Sequence, residues 1–368
     1  MTNIENRTVV FILNSLEQQR CHKRIREFLD NGYQVKVYAF NRKYGVEVRN
    51  FDRYEVEVIG EFGNTLSYFQ RINLMRKGIK KVVKAHKQQP VIYYLFNLDV
   101  AIIAYWLIKN KPYIYEESDL THTYLSNTLL KKGLDKFDKC IIRHSLMTVM
   151  TSGGFVKYHF KGACPENVWV IPNKLNPQVY EFPQIAKREV DIDHIRFGFV
   201  GHLRGQALIN FVEVLVRHFP QHEMHFFGVC VENYVPKFKV FEKYGNVYFH
   251  GHFSNPQDLA KVYSQIDIVI STYDTTQENV LYAEPNKIYE AIYFNTPIVV
   301  SRGTYLAERV DDMGIGYALD AMSEKEICQF IKGLTAESIV EKAHGAAMID
   351  KKRAVDDNRD FFSFLKRR

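Results

Sequence analysis

A strand–helix–strand rhythm runs twice through this chain, and it restricts the possible folds more than any other feature. Residues 8–13 (Thr-Val-Val-Phe-Ile-Leu) form a short apolar run of the kind a buried strand makes. A helical stretch follows from about Glu17 to Asp30, and Asn31-Gly32 ends it by supplying a left-handed residue. Gln34 to Phe40 then reads as the next strand. Strand, helix and strand in so short a span predict a βαβ unit, and therefore a parallel sheet with a right-handed crossover. The alternation continues through a strand at Val56–Ile59, a helix at Ser67–His86, a strand at Val91–Phe96 and a helix at Val100–Lys109. A strand at Tyr113–Glu116, a helix near Asn127–His144 and a strand at Leu146–Thr151 complete it.

Residues 172–194 interrupt the pattern with Pro172, Pro177, Pro183 and mixed charge, which marks a linker. The rhythm then restarts. Arg196–Val200 reads as a strand, Leu208–His218 as a helix, and His222–Phe227 and Val247–His250 as strands. A helix near Pro256–Gln265, a strand at Ile268–Ser271, one further helix and a strand at Ile298–Ser301 follow. Two α/β halves in tandem are the economical architecture: an N-terminal domain at 1–172, a linker at 173–194 and a C-terminal domain at 195–350. The closing segment 351–368 holds a helix whose Phe361, Phe362, Phe364 and Leu365 need a packing partner, expected on the N-terminal domain. A length of 368 residues agrees, being too great for one ordinary core.

With 46% hydrophobic and 25% charged residues the chain reads as soluble and globular. The polar start, Met1 to Thr8, is not a secretory signal, and no uncharged apolar run approaches the ~20 residues that span a bilayer. The cysteines, Cys21, Cys140, Cys164, Cys230 and Cys328, are scattered and lack CxxC spacing, so they indicate neither a disulfide framework nor a zinc site. A cytoplasmic protein is expected. Its charge of +7 is unevenly spread. No acidic residue lies between Glu61 and Asp99, whereas Arg71, Arg76, Lys77, Lys80, Lys81, Lys84 and Lys87 do. Ile72, Met75, Ile79, Val82 and Val83 recur there at helical spacing. Helix 67–87 is therefore either a surface helix with a solvated basic face or an attachment to anionic lipid headgroups at the inner face of the plasma membrane. Nucleic acid is disfavoured, because no recognition module accompanies the charge.

The segment from Tyr282 to Ser301 carries the most chemistry. It reads as a helix opened by Pro285 at its first position, closed near Asn295 and followed by a buried strand. The opening turn offers backbone N–H groups beside Lys287, an arrangement suited to an anion. Glu290, three residues on, shares a helix face with Lys287. Such a cation and carboxylate suit the diphosphate and the ribose hydroxyls of a sugar nucleotide.

With Pro285-Asn-Lys-Ile-Tyr-Glu290 and Thr296-Pro-Ile-Val-Val300 behind it, the chain resembles a GT-B glycosyltransferase of the glycosyltransferase family 4-like branch. Phe197-Gly-Phe-Val-Gly-His-Leu-Arg204 looks like that branch's glycine turn, and Gln19-Arg-Cys-His-Lys-Arg-Ile with Asn31 to Val37 looks like its first helix and second strand. Ile171-Pro-Asn173 and Asp267-Ile-Val-Ile-Ser271 are similar to its linker and to the strand before its donor loop. The resemblance implies two Rossmann-like α/β/α domains facing an interdomain cleft. It also implies transfer of a sugar from a nucleotide-diphosphate donor to a saccharide or lipid-linked acceptor, in surface polysaccharide or glycolipid biosynthesis. The donor would sit mainly on the C-terminal domain and the acceptor on the N-terminal one, with neither a catalytic metal nor a separate cofactor.

Carried over residue by residue, the resemblance puts Gly201, Arg204, Pro285, Asn286, Lys287 and Glu290 on the donor. Arg204 and Lys287 would neutralise the leaving diphosphate, and Glu290 would hold the ribose. On the residues alone, Arg204 also fits an ordinary exposed arginine, and Lys287 an ordinary pair with Glu290. His252 and Phe253 lie where the family packs its nucleobase, although simple loop packing accounts for either. One departure concerns the donor sugar: many members carry a second Glu eight positions before the first, where this chain has Tyr282. In the N-terminal half, Tyr115-Glu-Glu-Ser-Asp-Leu-Thr-His122 follows a strand. Its Glu117, Asp119 and His122 suit a general base for an acceptor hydroxyl, or a polar loop with capping carboxylates. Two alternatives share these features: a nucleotide-sugar epimerase of the same fold, and a non-catalytic sugar-nucleotide-binding subunit. A Rossmann dehydrogenase is disfavoured, since the turn from Asn14 to Gln19 lacks GxGxxG.

Overall fold

Parallel pairing dominates the computed structural model, which describes residues 8–16, 19–42, 53–63, 66–186 and 188–368. The polar stretch 1–7 and positions 17–18 of the first strand–helix turn lie outside the described residues. The chain divides into two compact units, residues 1–172 with 358–368 and residues 173–357.

The first unit holds strands β1 (Thr8–Leu13), β2 (Gln34–Asn41), β3 (Val56–Glu61), β4 (Val91–Phe96), β5 (Tyr113–Glu117), β6 (Met147–Met150) and β7 (Val168–Val170). They form one sheet in the order β3-β2-β1-β4-β5-β6-β7, with every pairing parallel. Helices cover both faces, so a central strand such as β4, Val-Ile-Tyr-Tyr-Leu-Phe, is buried along its whole length and needs no polar alternation. The final helix, Arg359–Arg367, belongs to this unit. Its Phe362 packs edge-on to Phe28 at 5.0 Å and its Phe361 edge-on to Trp169 at 5.9 Å, while Asn358 donates a hydrogen bond to Glu27.

The basic helix spans Tyr68–Ala85 and opens with a capping box between Ser67 and Gln70. It buries Met75, Ile79 and Val82 and exposes Arg76, Lys77, Lys80, Lys81 and Lys84. Among the described residues no helix is long and apolar enough to cross a membrane.

The second unit holds β8 (Arg196–Val200), β9 (Glu223–Phe227), β10 (Val247–Gly251), β11 (Ile268–Ser271), β12 (Ile298–Ser301) and β13 (Gly316–Leu319). Their order is β10-β9-β8-β11-β12-β13, again all parallel. From β8 the chain winds outward to β9 and β10, then returns to the other side of β8 for β11. The gap between β8 and β11 is thus a topological switch point, the place where open parallel sheets bind ligands beyond their strand ends. Residues 173–184 pack within this unit: Leu175 N–H donates to Ala354 O, and Gln184 donates to Tyr293 O at 3.0 Å.

Candidate functional site

The polypeptide leaves β8 through Gly201, whose φ of +129° is open to glycine at little cost. Gly228, after β9, has φ +132° and lies against the Gly201 carbonyl so closely that a Cβ there would collide with it. Gly201 N–H donates to Phe227 O at 2.8 Å, and Gly228 N–H to Gly251 O at 2.7 Å. Three adjacent strands therefore end in glycine, and their backbones stay close at the carboxyl edge of the sheet.

Lys287 reaches this edge from the helix Lys287–Tyr293. Its Nζ stands 4.8 Å from the centre of the Phe199 ring and 3.5 Å from the Tyr273 hydroxyl, just beyond β11. A Cβ on Gly201 would lie 3.3 Å from the same Nζ. The ammonium is thus buried at the switch point between β8 and β11, touching residues from both sides of it. It forms no ion pair among the described residues. A buried cation so placed is suited to an anion arriving over the strand ends.

Glu290 lies one turn deeper and is 2% exposed. Tyr263 donates to its Oε2 and Asn286 Nδ2 to its Oε1, each at 2.6 Å. Burial pushes this carboxyl above its ordinary value, against the pull of Lys287 and of the two hydrogen bonds. Each oxygen retains acceptor capacity, so the pair of donors holds the group in position without exhausting it. The helix begins two residues later than the sequence indicates, with Asn286 as its cap and Pro285 outside it. Its amides at Ile288, Tyr289 and Glu290 turn back to the carbonyls of Pro285 and Asn286. What this helix offers an anion is therefore the Lys287 side chain rather than backbone N–H groups.

In the first unit a second polar group gathers at the end of β5. His159 Nε2 lies 3.0 Å from both carboxyl oxygens of Glu117. His122 Nε2 is 3.0 Å from the Tyr158 hydroxyl, and its Nδ1 is 3.5 Å from Asp138 Oδ2. Glu117 and Asp138 are fully buried, His122 is 1% exposed, and only Asp119 of the three sequence candidates reaches the half-buried class. Burial drives the Glu117 carboxyl well above its usual range, with the nearby Asp138 adding to the effect. Burial likewise lowers His159 to about 4.

Residues 194–337 match the sequence model of the family described as Glycosyl transferases group 1. That stretch is a group 1 glycosyl transferase domain. Over the whole chain the fold is GT-B. It is similar to sucrose-phosphate synthase from Thermosynechococcus elongatus, with a TM-score of 0.71 and 13% identity over 98% of each chain. It is similar to HepE from Anabaena in complex with UDP-glucose, with a TM-score of 0.66 and 16% identity over 98% of this chain and 100% of the other. WaaG, a glycosyltransferase involved in lipopolysaccharide biosynthesis, gives a TM-score of 0.60 and 14% identity over 94% and 97%. Comparison with curated protein sequences gives no match.

Within the glycosyl transferase domain, Gly201, Asn286, Lys287 and Glu290 come together through the contacts above, with Pro285 immediately before them. Arg204 is exposed on the turn that leads into the helix Gln206–His218. His252 is exposed too, whereas Phe253 packs against the core of the unit. Glu284, the carboxylate nearest the position occupied by Tyr282, is buried; Tyr289 donates to it, and Arg309 lies 3.9 Å away. Sequence reasoning missed Tyr263, Tyr273, Gly228, Asp138 and His159. None carries a local signal: each lies at least 14 residues from the candidate side chain or turn that it meets.

Proposed function

We propose that this GT-B protein transfers a hexosyl or related sugar from a nucleotide-diphosphate sugar to a hydroxyl of a saccharide or lipid-linked acceptor. The observation that carries the reading is the buried Lys287 ammonium between Gly201 and Tyr273 at the switch point, one helical turn from Glu290. In the reaction the bond between the anomeric carbon and the β-phosphate oxygen breaks. Its electron pair leaves with the nucleoside diphosphate, and the acceptor oxygen forms the new bond to carbon as its proton passes to a base.

Charge grows on the β-phosphate as that bond opens, so a fixed ammonium lowers the barrier more than it tightens the ground state. We assign this role to Lys287, with the exposed Arg204 closing on the diphosphate when donor binds. These side chains stand in for a catalytic metal. Glu290, held by Tyr263 and Asn286, accepts hydrogen bonds from the ribose hydroxyls, while the segment at His252 and Phe253 meets the base. Asp119 is the carboxylate we assign to the acceptor hydroxyl. Glu117 and His122, buried behind it, support its loop.

HepE has been captured with UDP-glucose, and WaaG and a galactosyltransferase of the lipopolysaccharide outer core share the fold. On that basis we assign a surface glycan or glycolipid product, made at the cytoplasmic face of a membrane that the basic side of helix Tyr68–Ala85 contacts. The test is thermal-shift screening against UDP-, GDP-, CMP- and dTDP-sugars, followed by product analysis with and without acceptor. Stabilisation by one nucleotide family and sugar transfer only with acceptor support the reading. Conversion of donor alone to an epimer, or no response to any donor, contradicts it.

A further inference from the structure

A group of buried polar atoms without hydrogen-bond partners gathers at Asp138 in the first unit. Both of its carboxylate oxygens are buried without a hydrogen-bond partner, as are Nδ1 of His122 and Nδ1 of His159. Asp138 projects from the helix Thr128–His144, Glu117 from the end of β5 and His159 from the helix Gly153–Phe160. One donor atom from each of Glu117, Asp138 and His159 falls within 4.8 Å of the other two, and all three residues are buried.

A buried carboxylate needs either hydrogen-bond donors or a counter-charge. The Tyr115 phenol and the Glu117 carboxyl lie beside Asp138, but neither brings a positive charge, and the cationic side chains nearby are committed elsewhere. Lys139 pairs with Asp135 at 2.9 Å, and Arg20 and Arg24 face Glu116. Two carboxylates and an imidazole instead make a ligand set of the type that binds a divalent transition ion. A tetrahedral zinc with bonds of about 2.0–2.1 Å holds its donors about 3.3 Å apart. The separations at the two ends of the group are 3.0 Å for Glu117–His159 and 3.5 Å for Asp138–His122, close to that spacing.

We propose that Glu117, Asp138 and His159 form a structural binding site for one zinc-class divalent cation, with His122 beside Asp138 as its fourth donor or as the group that orients it. The ion would neutralise both carboxylates. It would also tie β5 to two helices and to the turn Thr121–Tyr124, which fixes the loop that carries Asp119. A mixed imidazole and carboxylate set favours zinc over magnesium, which demands oxygen ligands and keeps its waters.

The test uses the full chain, with any affinity tag removed and no chelator in the buffers. Metal analysis of protein grown with zinc is expected to find about one zinc per chain. Treatment with dipicolinate is expected to lower Tm, with zinc but not magnesium restoring it. Cobalt added to the stripped wild type should give the visible absorption of a tetrahedral site, a readout independent of whether any variant folds. Asp138→Asn and His159→Gln are expected to lose the metal. Zinc at background level with an unchanged Tm overturns the proposal, and so does undiminished zinc in both variants. The first result would leave a proton shared by Glu117 and Asp138 as the compensation, and the second would place the zinc elsewhere. Donor binding to the second unit, measured in parallel with UDP, reports on the transferase reading separately.

Discussion

Tyr263 donates its phenolic hydrogen bond to Glu290 across 2.6 Å of buried interior, linking two residues 27 positions apart in the chain. Burial, with Glu290 beside it, pushes the phenol far above its ordinary value, so it is a permanently neutral donor. This contact sets the direction in which the carboxylate faces a ribose. Tyr263→Phe removes a hydrogen bond to a charged group and is expected to weaken UDP binding about tenfold, roughly 1.4 kcal/mol. Calorimetric titration measures it. Because Tyr263 favours the ionised form of Glu290, the variant should also lose affinity at a higher pH than the wild type. A merely structural role would leave that pH unmoved.

The raised Glu290 carboxyl makes a signed statement about stability. Its folded value lies above the ordinary 4.5, so its contribution is fully present below 4.5 and is lost as pH rises through the folded value. Relative to Glu290→Gln, the wild type should therefore lose stability between 4.5 and the raised value and run parallel above it. Urea unfolding across pH tests this. Parallel curves throughout would show that the carboxyl is not perturbed.

The legible parts of the fold were those where one local run decides the structure. β4 is a six-residue apolar run and β12 is Ile-Val-Val-Ser directly after Pro297, so both stand out as buried parallel strands. β7, only Val-Trp-Val, and β13, Gly-Tyr-Ala-Leu, are too short and too ordinary to register, because neighbouring strands rather than their own composition hold them in the sheet. The helix Gly153–Phe160 opens on two glycines, poor helix formers, and is short; Ser152 caps it. The site shows the same limit. Lys287 and Glu290 are three residues apart and can be paired by counting. Tyr263, Asp138 and His159 reach their partners only through the tertiary fold, and a lone tyrosine or histidine carries no periodic mark.

Gly201 and Gly228 separate function from stability. Gly228→Ala sets a methyl against the Gly201 carbonyl at a left-handed φ and is expected to cost about 2–3 kcal/mol, read by denaturant unfolding. Gly201→Ala carries the same backbone strain, at φ +129°, but its methyl meets only the flexible end of Lys287, at 3.3 Å, and no backbone. Its larger effect should be on UDP affinity, which is expected to fall about tenfold as the ammonium is displaced. Equal stability losses with intact affinity would argue against Lys287 as the anion-binding group.

The basic helix makes an ionic-strength prediction. Lys77, Lys80 and Lys84 are exposed, whereas Lys81 already pairs with Glu57 at 2.9 Å. Replacing the first three with Glu is expected to weaken binding to vesicles containing anionic lipid by about 1 kcal/mol per residue or more, with no effect on uncharged vesicles. Co-sedimentation at low and physiological salt checks this. Equal binding of wild type and variant to anionic vesicles would assign the helix to solvent.

Titration of UDP into Lys287→Met is the most direct test of the donor site. The apo variant should unfold cooperatively near the wild-type Tm, since a buried apolar chain replaces a buried charge. Its affinity for UDP should fall at least tenfold, with a smaller loss for uridine, which lacks the diphosphate. Wild-type affinity for UDP in this variant would contradict the assignment of Lys287 to the leaving group.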